Sequence, residues 1–238
     1  MNILKVENLK KVYGKGDAQV IALDNISFSV EEGEFIAIIG PSGSGKTTLL
    51  HTIAGLENPT AGNVYFYDKS IYDMNKRDLT ILRREKIGII YQFYNLIPTL
   101  NVEENITLPV ELDRKAVDQE KLRTITKFLG IDDRRKHLPN QISGGQQQKV
   151  AIGRALMIEP TIILADEPTG NLDTKSSSEI IELLKKTNKE YKQTIIMITH
   201  NMEIAKQADR IIKIEDGKLE IVNDGTISKF KPAVEQIT

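Results

Sequence analysis

The spacing of apolar residues changes along this chain, and each change marks a change of element. Between residues 20 and 30, Ile26, Phe28 and Val30 alternate with Ser27 and Ser29, the period of a strand that buries one face. Residues 3–9 read as a second strand suited to the same antiparallel sheet. Phe35-Ile36-Ala37-Ile38-Ile39 is apolar throughout and ends at a glycine, which predicts a strand covered on both faces. A helix is predicted over residues 45–56, a returning strand over 63–67 and a short buried strand over 86–91. From about residue 95 to 158 the spacing turns helical. Leu122, Ile125 and Leu129 form one stripe there, while Lys121, Arg123 and Lys127 face away. Strand-like runs resume at 161–165 and 194–199, separated by a helix over 174–191. A last hairpin joins 210–214 to 219–222 through Asp216-Gly217. The pattern predicts an α/β core over about residues 1–94 and 159–224, an all-helical insertion over about 95–158, and a loosely held tail over 225–238.

Chemistry enters at the end of the first buried strand. Gly40-Pro41-Ser42-Gly43-Ser44-Gly45-Lys46-Thr47 satisfies every fixed position of the phosphate-binding loop, between a strand and a helix as that motif requires. The glycines let successive backbone N–H groups close on a β-phosphate, and the following helix adds its partial positive charge. Lys46 reaches the β- and γ-phosphates, the Thr47 hydroxyl ligates Mg²⁺, and Thr48 continues the contact. Downstream, Ile162-Ile163-Leu164-Ala165 runs into Asp166-Glu167-Pro168. Asp166 suits Mg²⁺ held through water, since magnesium gives up its hydration shell reluctantly. Glu167 is then placed to orient the attacking water. A glutamine at 167 would suggest a binding-only form; the glutamate argues for turnover.

Composition narrows the class. In 238 residues, 32 Lys and Arg balance 33 Asp and Glu for a formal net charge of -1, so no global basicity calls for nucleic acid. There is no cysteine, which removes disulfides, zinc-thiolate sites and thiol nucleophiles. The first residues are too polar for a signal-peptide core, and the longest apolar runs are strand-sized. The expectation is a cytoplasmic protein whose membrane link, on the inner face, comes through a partner.

Between the two halves of the nucleotide site lies Ser143-Gly144-Gly145-Gln146-Gln147, which reads as a second anion-binding helix start without a lysine. The phosphate loop, this segment, Asp166-Glu167-Pro168 and His200 together resemble the motifs of ATP-binding-cassette (ABC) ATPases, in their order. The similarity runs from about residue 4 to 222. It implies the P-loop ABC ATPase fold, with a RecA-like core, an antiparallel β subdomain and a helical insertion. It also implies ATP and Mg²⁺ as ligands, a second copy of the chain as partner, and a membrane permease. By the same resemblance, Ser143 to Gln147 of one copy close over the γ-phosphate held by Lys46 of the other. Tyr13 would stack on adenine, and Gln92 would meet Mg²⁺ and the attacking water while its loop touches the permease. Asp173, in Asn171-Leu172-Asp173, would cross the dimer interface, and His200 would sense the γ-phosphate. The family usually has leucine before the serine; here it is Ile142.

Residues 146–156, 165–173 and 92–106 are similar to the bacterial branch that exports macrolides, releases lipoproteins or handles antimicrobial peptides. That branch implies a separate ATPase polypeptide on a permease with a large extracytoplasmic domain, with Pro109 and its helix toward the permease. A regulatory or scaffold module that dimerises on ATP without moving cargo needs the same site and stays open as an alternative. DNA-repair and translation-factor ATPases carry long coiled coils or two cassettes per chain, and this chain has neither.

Overall fold

The structure, a computed structural model, describes residues 1–223 and 226–229. In chain order its elements are β1 (Asn2–Tyr13), β2 (Val20–Glu31), β3 (Phe35–Ile39), α1 (Lys46–Ile53), β4 (Ala61–Phe66), β5 (Lys69–Ser70), α2 (Lys76–Lys86), β6 (Ile87–Ile90) and α3 (Val102–Leu112). They continue with α4 (Gln119–Phe128), α5 (Gly144–Met157), β7 (Ile162–Asp166), α6 (Thr174–Tyr191), β8 (Thr194–Ile198), α7 (Met202–Ala205), β9 (Arg210–Glu215), β10 (Lys218–Asn223) and β11 (Thr226–Lys229). These residues divide into two compact units, Met1–Leu79 with the described residues from Ile196 onward, and Thr80–Ile195.

The first unit holds an antiparallel sheet in the order β2-β1-β4-β5. The alternation read in β2 is the observed burial: Leu23, Ile26, Phe28 and Val30 are inside, and Ser27 and Ser29 are half-buried. β1 runs four residues past the predicted end because the alternation breaks at a bulge. Asn8 takes φ 47°, and pairing with β2 shifts register between Val6 and Leu9 before continuing to Tyr13↔Val20. The unit also holds β11-β10-β9-β3, with β3 parallel to β9 and the remaining pairs antiparallel. Every residue of β3 is buried, each large side chain contributing about 1.5–3 kcal/mol of apolar transfer. β11 lies where a loose tail was expected; Gly225 and residues 230–238 of that expectation lie outside the described residues.

The second unit pairs β6 with β7 in parallel, Ile87↔Ile162 to Ile90↔Ala165. Helix α4 buries Leu122 and Ile125, with Leu129 behind them, and exposes Arg123 and Lys127, as its stripe predicts. Lys121, expected to face away with them, is instead half-buried and pairs with Glu159 at 2.7 Å. Asp118 caps it, accepting from the N–H groups of Glu120 and Lys121 at 3.0 Å. α3 opens with a capping box between Asn101 and Glu104 and tolerates Pro109 near its end. Helix α2 was not among the predicted elements; its Leu79, Ile81 and Leu82 are half-buried and none of its residues is fully buried. Among the described residues no helix is long and apolar enough to cross a membrane.

Candidate functional site

In the first unit the loop from Gly40 to Lys46 links buried β3 to α1, and its glycines do different work. A Cβ on Gly45, whose φ is 102°, would lie 2.1 Å from the carbonyl oxygen of Ala22, so the backbone there passes too close for any side chain. A Cβ on Gly43, at φ 79°, would meet nothing within 4 Å. At Gly43 it is the left-handed backbone, and no neighbouring atom, that calls for glycine. Lys46 is 7% exposed and folds back over its own loop, donating to the carbonyls of Gly40 at 3.0 Å and Pro41 at 2.7 Å. Ser44 Oγ is buried without a hydrogen-bond partner, a polar atom that fits an incoming anion. Pro41, Ser42 and Thr47 are exposed, and Thr48 is half-buried.

Two further predicted residues belong to this unit. Tyr13, 39% exposed, donates its hydroxyl to Glu57 Oε2 at 2.6 Å and lies 3.5 Å from Thr48 Oγ1. Burial and then the Glu57 bond push the Tyr13 phenol above its usual pKa. Burial alone would raise the Glu57 carboxyl, but the Tyr13 hydroxyl and the Lys11 ammonium outweigh it and hold Glu57 below its ordinary value. His200 is exposed between buried Thr199 and Asn201, which caps α7 through the N–H groups of Glu203 and Ile204. Thr199 N–H donates to Ile38 O at 3.1 Å, which ties the approach to His200 to β3.

In the second unit, buried β7 delivers half-buried Asp166 and Glu167. Glu167 takes φ 45°, a left-handed conformation that costs a non-glycine residue about 1 kcal/mol and re-aims the chain as the strand ends. Tight turns follow: Gly170 N–H donates to Glu167 O, and Leu172 N–H to Thr169 O. Gln92 meets this turn, with Nε2 3.4 Å from Asn171 Oδ1 and its carbonyl accepting from Asn171 Nδ2 at 3.1 Å. Asp173 caps α6 by accepting from Ser176 N at 3.0 Å and Ser176 Oγ at 2.7 Å. Those two donors, the backbone one first, hold the Asp173 carboxyl below its usual pKa. The cap is thus fully made above the unfolded aspartate range and is lost as pH falls through the folded pKa.

The start of α5 lies beside both segments. Ser143 and Gln146 form a capping box, Ser143 Oγ accepting from Gln146 N at 3.3 Å and Gln146 Oε1 accepting from Ser143 N at 2.9 Å. Gln147 Nε2 donates to Ile142 O. A Cβ on Gly144 would stand 2.8 Å from the Tyr94 hydroxyl, and one on Gly145 would stand 3.0 Å from Ser176 Oγ. These glycines therefore let the first turn of α5 pack against the loop after Gln92 and the first turn of α6. The structure thus brings Gln92, Ser143 to Gln147 and Asp173 together in one unit, with Asp166 and Glu167 on the strand that feeds the same turns.

Sequence reasoning passed over the residues that lace these pieces. Arg154, in the last turn of α5, donates to Tyr94 O at 2.8 Å and Asn95 O at 2.6 Å, where the backbone is left-handed at φ 53° and 49°. Burial lowers its pKa, yet a guanidinium stays charged. Gln148 is fully buried and donates to Tyr91 O at 3.4 Å. A cation amid apolar α5 positions was the available signal for Arg154. Glu57, followed by Asn58-Pro59, carries no such signal, because its partner is 44 residues away.

The donor set also bears on a metal. Among the described residues no group of three or more His, Cys, Asp and Glu side chains could hold an ion by itself. Thr47 offers an exposed hydroxyl and Asp166 a half-buried carboxylate, oxygen donors of the kind magnesium takes together with water and phosphate.

The sequence profile of the family described as ABC transporter matches residues 23–170, more than half of the chain. An uncharacterized ABC transporter ATP-binding protein of Methanocaldococcus jannaschii is 47% identical over 224 residues, 93% of this chain and 100% of that protein. The macrolide export ATP-binding/permease protein MacB of Bdellovibrio bacteriovorus is 41% identical over 218 residues, 92% of this chain but 33% of that longer protein. Among solved structures, the ATP-binding cassette MJ0796 of Methanocaldococcus jannaschii, a post-hydrolysis dimer bound to ADP and Pi, aligns with a TM-score of 0.83 at 41% identity. That alignment covers 92% of this chain and 99% of the cassette. With the profile and full-length relatives in agreement, the chain belongs to the ABC transporter family, as one of its ATP-binding, ATP-hydrolysing cassettes.

Proposed function

We propose that two copies of this chain close around two molecules of ATP with Mg²⁺, and that closure drives a membrane permease in export, lipoprotein release or resistance to antimicrobial peptides. The cassettes sit peripherally on the cytoplasmic face. The observation that carries this reading is the capped, lysine-free start of α5 beside Asp173 and Gln92, since the phosphate loop alone accounts for binding but not for a partner. The dimeric MJ0796 structure and the permease-fused MacB support it.

Each residue then takes one part. The loop from Gly40 to Thr48 cradles the phosphates, with Lys46 turning from its carbonyl partners to the β- and γ-oxygens. Thr47, Gln92 and, through water, Asp166 would hold Mg²⁺, which would supply neutralisation of charge on those oxygens. Glu167 orients and deprotonates the attacking water, whose oxygen bonds to the γ-phosphorus as the bond to the β–γ bridging oxygen breaks and ADP departs. Ser143 to Gln147 of the second copy donate to the γ-phosphate, Asp173 crosses between copies, and His200 registers the γ-phosphate. Tyr13 carries the adenine. The helical part, about residues 95–158 with Pro109 in α3, faces the permease.

Glu167→Gln tests the hydrolytic half. Turnover falls about 100-fold or more while an ATP-dependent dimer accumulates on size-exclusion chromatography. A variant that keeps full ATPase activity overturns the assignment of Glu167.

A further inference from the structure

The side chain that fixes Tyr13 is built from parts no nucleotide motif contains. Lys11 and Tyr13 are two residues apart on β1 and so share a face. Lys11 Nζ stands 4.9 Å from the centroid of the Tyr13 ring, a cation over its face. The same ammonium bonds Glu57 Oε1 at 3.0 Å and Asn58 O at 2.7 Å, and the other Glu57 oxygen takes the Tyr13 hydroxyl at 2.6 Å. Glu57 thus closes a three-membered ring of contacts with both carboxylate oxygens in use, one on each neighbour.

Glu57 itself is anchored from the phosphate side. Its backbone N–H reaches His51 O at 3.3 Å on α1, and its carbonyl accepts from the Tyr72 hydroxyl at 2.9 Å. That one hydroxyl proton is shared with Thr52 O, again on α1. The segment after it is sewn to β1, Thr60 N–H donating to Lys10 O at 2.7 Å and Thr60 Oγ1 accepting from Val12 N at 2.9 Å. One continuous path therefore runs from the phosphate loop through α1 to Glu57 and on to the Tyr13 ring.

We propose that Glu57, with Lys11, is a positioning residue that holds the Tyr13 ring at a set span from the phosphate loop, so that a nucleotide is recognised jointly by its phosphates and its base. This rests on Tyr13 being the base platform. Lys11 covers one face of the ring, and the base takes the other. Freed of Glu57, the ring is no longer pre-oriented, and the cost falls on ligands that carry a base.

The test compares two ligands of the phosphate loop that lack a γ-phosphate, ADP and inorganic pyrophosphate, by calorimetry on the full chain with Mg²⁺. Variants are Glu57→Ala, Glu57→Gln, Tyr13→Phe, Tyr13→Ala and the Glu57→Ala/Tyr13→Phe pair. Glu57→Ala and Tyr13→Phe each weaken ADP about tenfold, the pair weakens it little further, and pyrophosphate affinity stays within about twofold. Glu57→Gln, which keeps an oxygen for the hydroxyl, recovers part of the loss. If Glu57→Ala weakens both ligands equally, Glu57 serves the phosphate loop and the proposal fails. If Tyr13→Ala weakens ADP but Glu57→Ala and Tyr13→Phe do not, the anchor is wrong while the platform stands. If Tyr13→Ala leaves ADP binding intact, the platform itself is wrong.

Discussion

Gly45 and Gly43 stand two residues apart in one loop, yet their loss should be felt in different measurements. An added Cβ at Gly45 would collide with Ala22 O, whereas one at Gly43 meets no protein atom. Gly45→Ala should cost about 2–4 kcal/mol, which for a chain of this size lowers the melting temperature by roughly 5–12 °C in thermal unfolding followed by circular dichroism. Gly43→Ala should cost about 1 kcal/mol for its left-handed backbone and, on the proposed reading of this loop as the phosphate cradle, should weaken ADP beyond that loss. The motif fixes glycine at 45 and leaves 43 open, and it does not say which of the two is demanded by packing. Gly144 and Gly145 show the same limit. Their spacing suggested close N–H groups for an anion, and the structure adds that any side chain there would have to displace the Tyr94 or Ser176 hydroxyl.

Among the elements, α5 carries more than its opening turn. Its Gln148 and Arg154 hold the backbone of Tyr91, Tyr94 and Asn95, so the segment containing Gln92 is tied to the helix that begins at Ser143. Arg154→Gln removes two charge-assisted bonds and should cost about 2–3 kcal/mol. Amide hydrogen exchange should then speed up over residues 93–97 while α4 stays protected, since α4 is held by its own cap and apolar stripe. Unchanged exchange at 93–97 would show that the loop is held by other contacts. Periodicity made β2, β3, β7, β8, α4 and α6 legible in advance, because each buries one face or both. It missed α2, whose apolar residues are only half-buried, and the end of β1 past the Asn8 bulge, where the two-residue alternation loses phase.

At the scale of the whole molecule the proposed reading makes a composite-site prediction. Lys46→Ala and Ser143→Arg should each abolish ATP turnover alone. Mixed in equal amounts they should recover about a quarter of wild-type activity, since half the dimers are mixed and each mixed dimer keeps one intact site. No recovery at saturating protein, with mixed dimers verified by differential tagging, would count against sites shared between copies.

The sequence by itself determined the chemistry and the class of fold. Phosphate cradles, carboxylates at a strand end and capped helix starts need particular residue types at short, fixed separations, and such local requirements can be read from one strand of text. Only the tertiary structure decided what holds those groups in place. Glu57 on Tyr13, Arg154 on Tyr94 and Asn95, and Ser176 against Gly145 join residues between 31 and 60 positions apart. No periodicity or spacing rule relates positions so far separated. Their meeting is set by how β1 bulges and how the helices pack, which is a property of the folded chain.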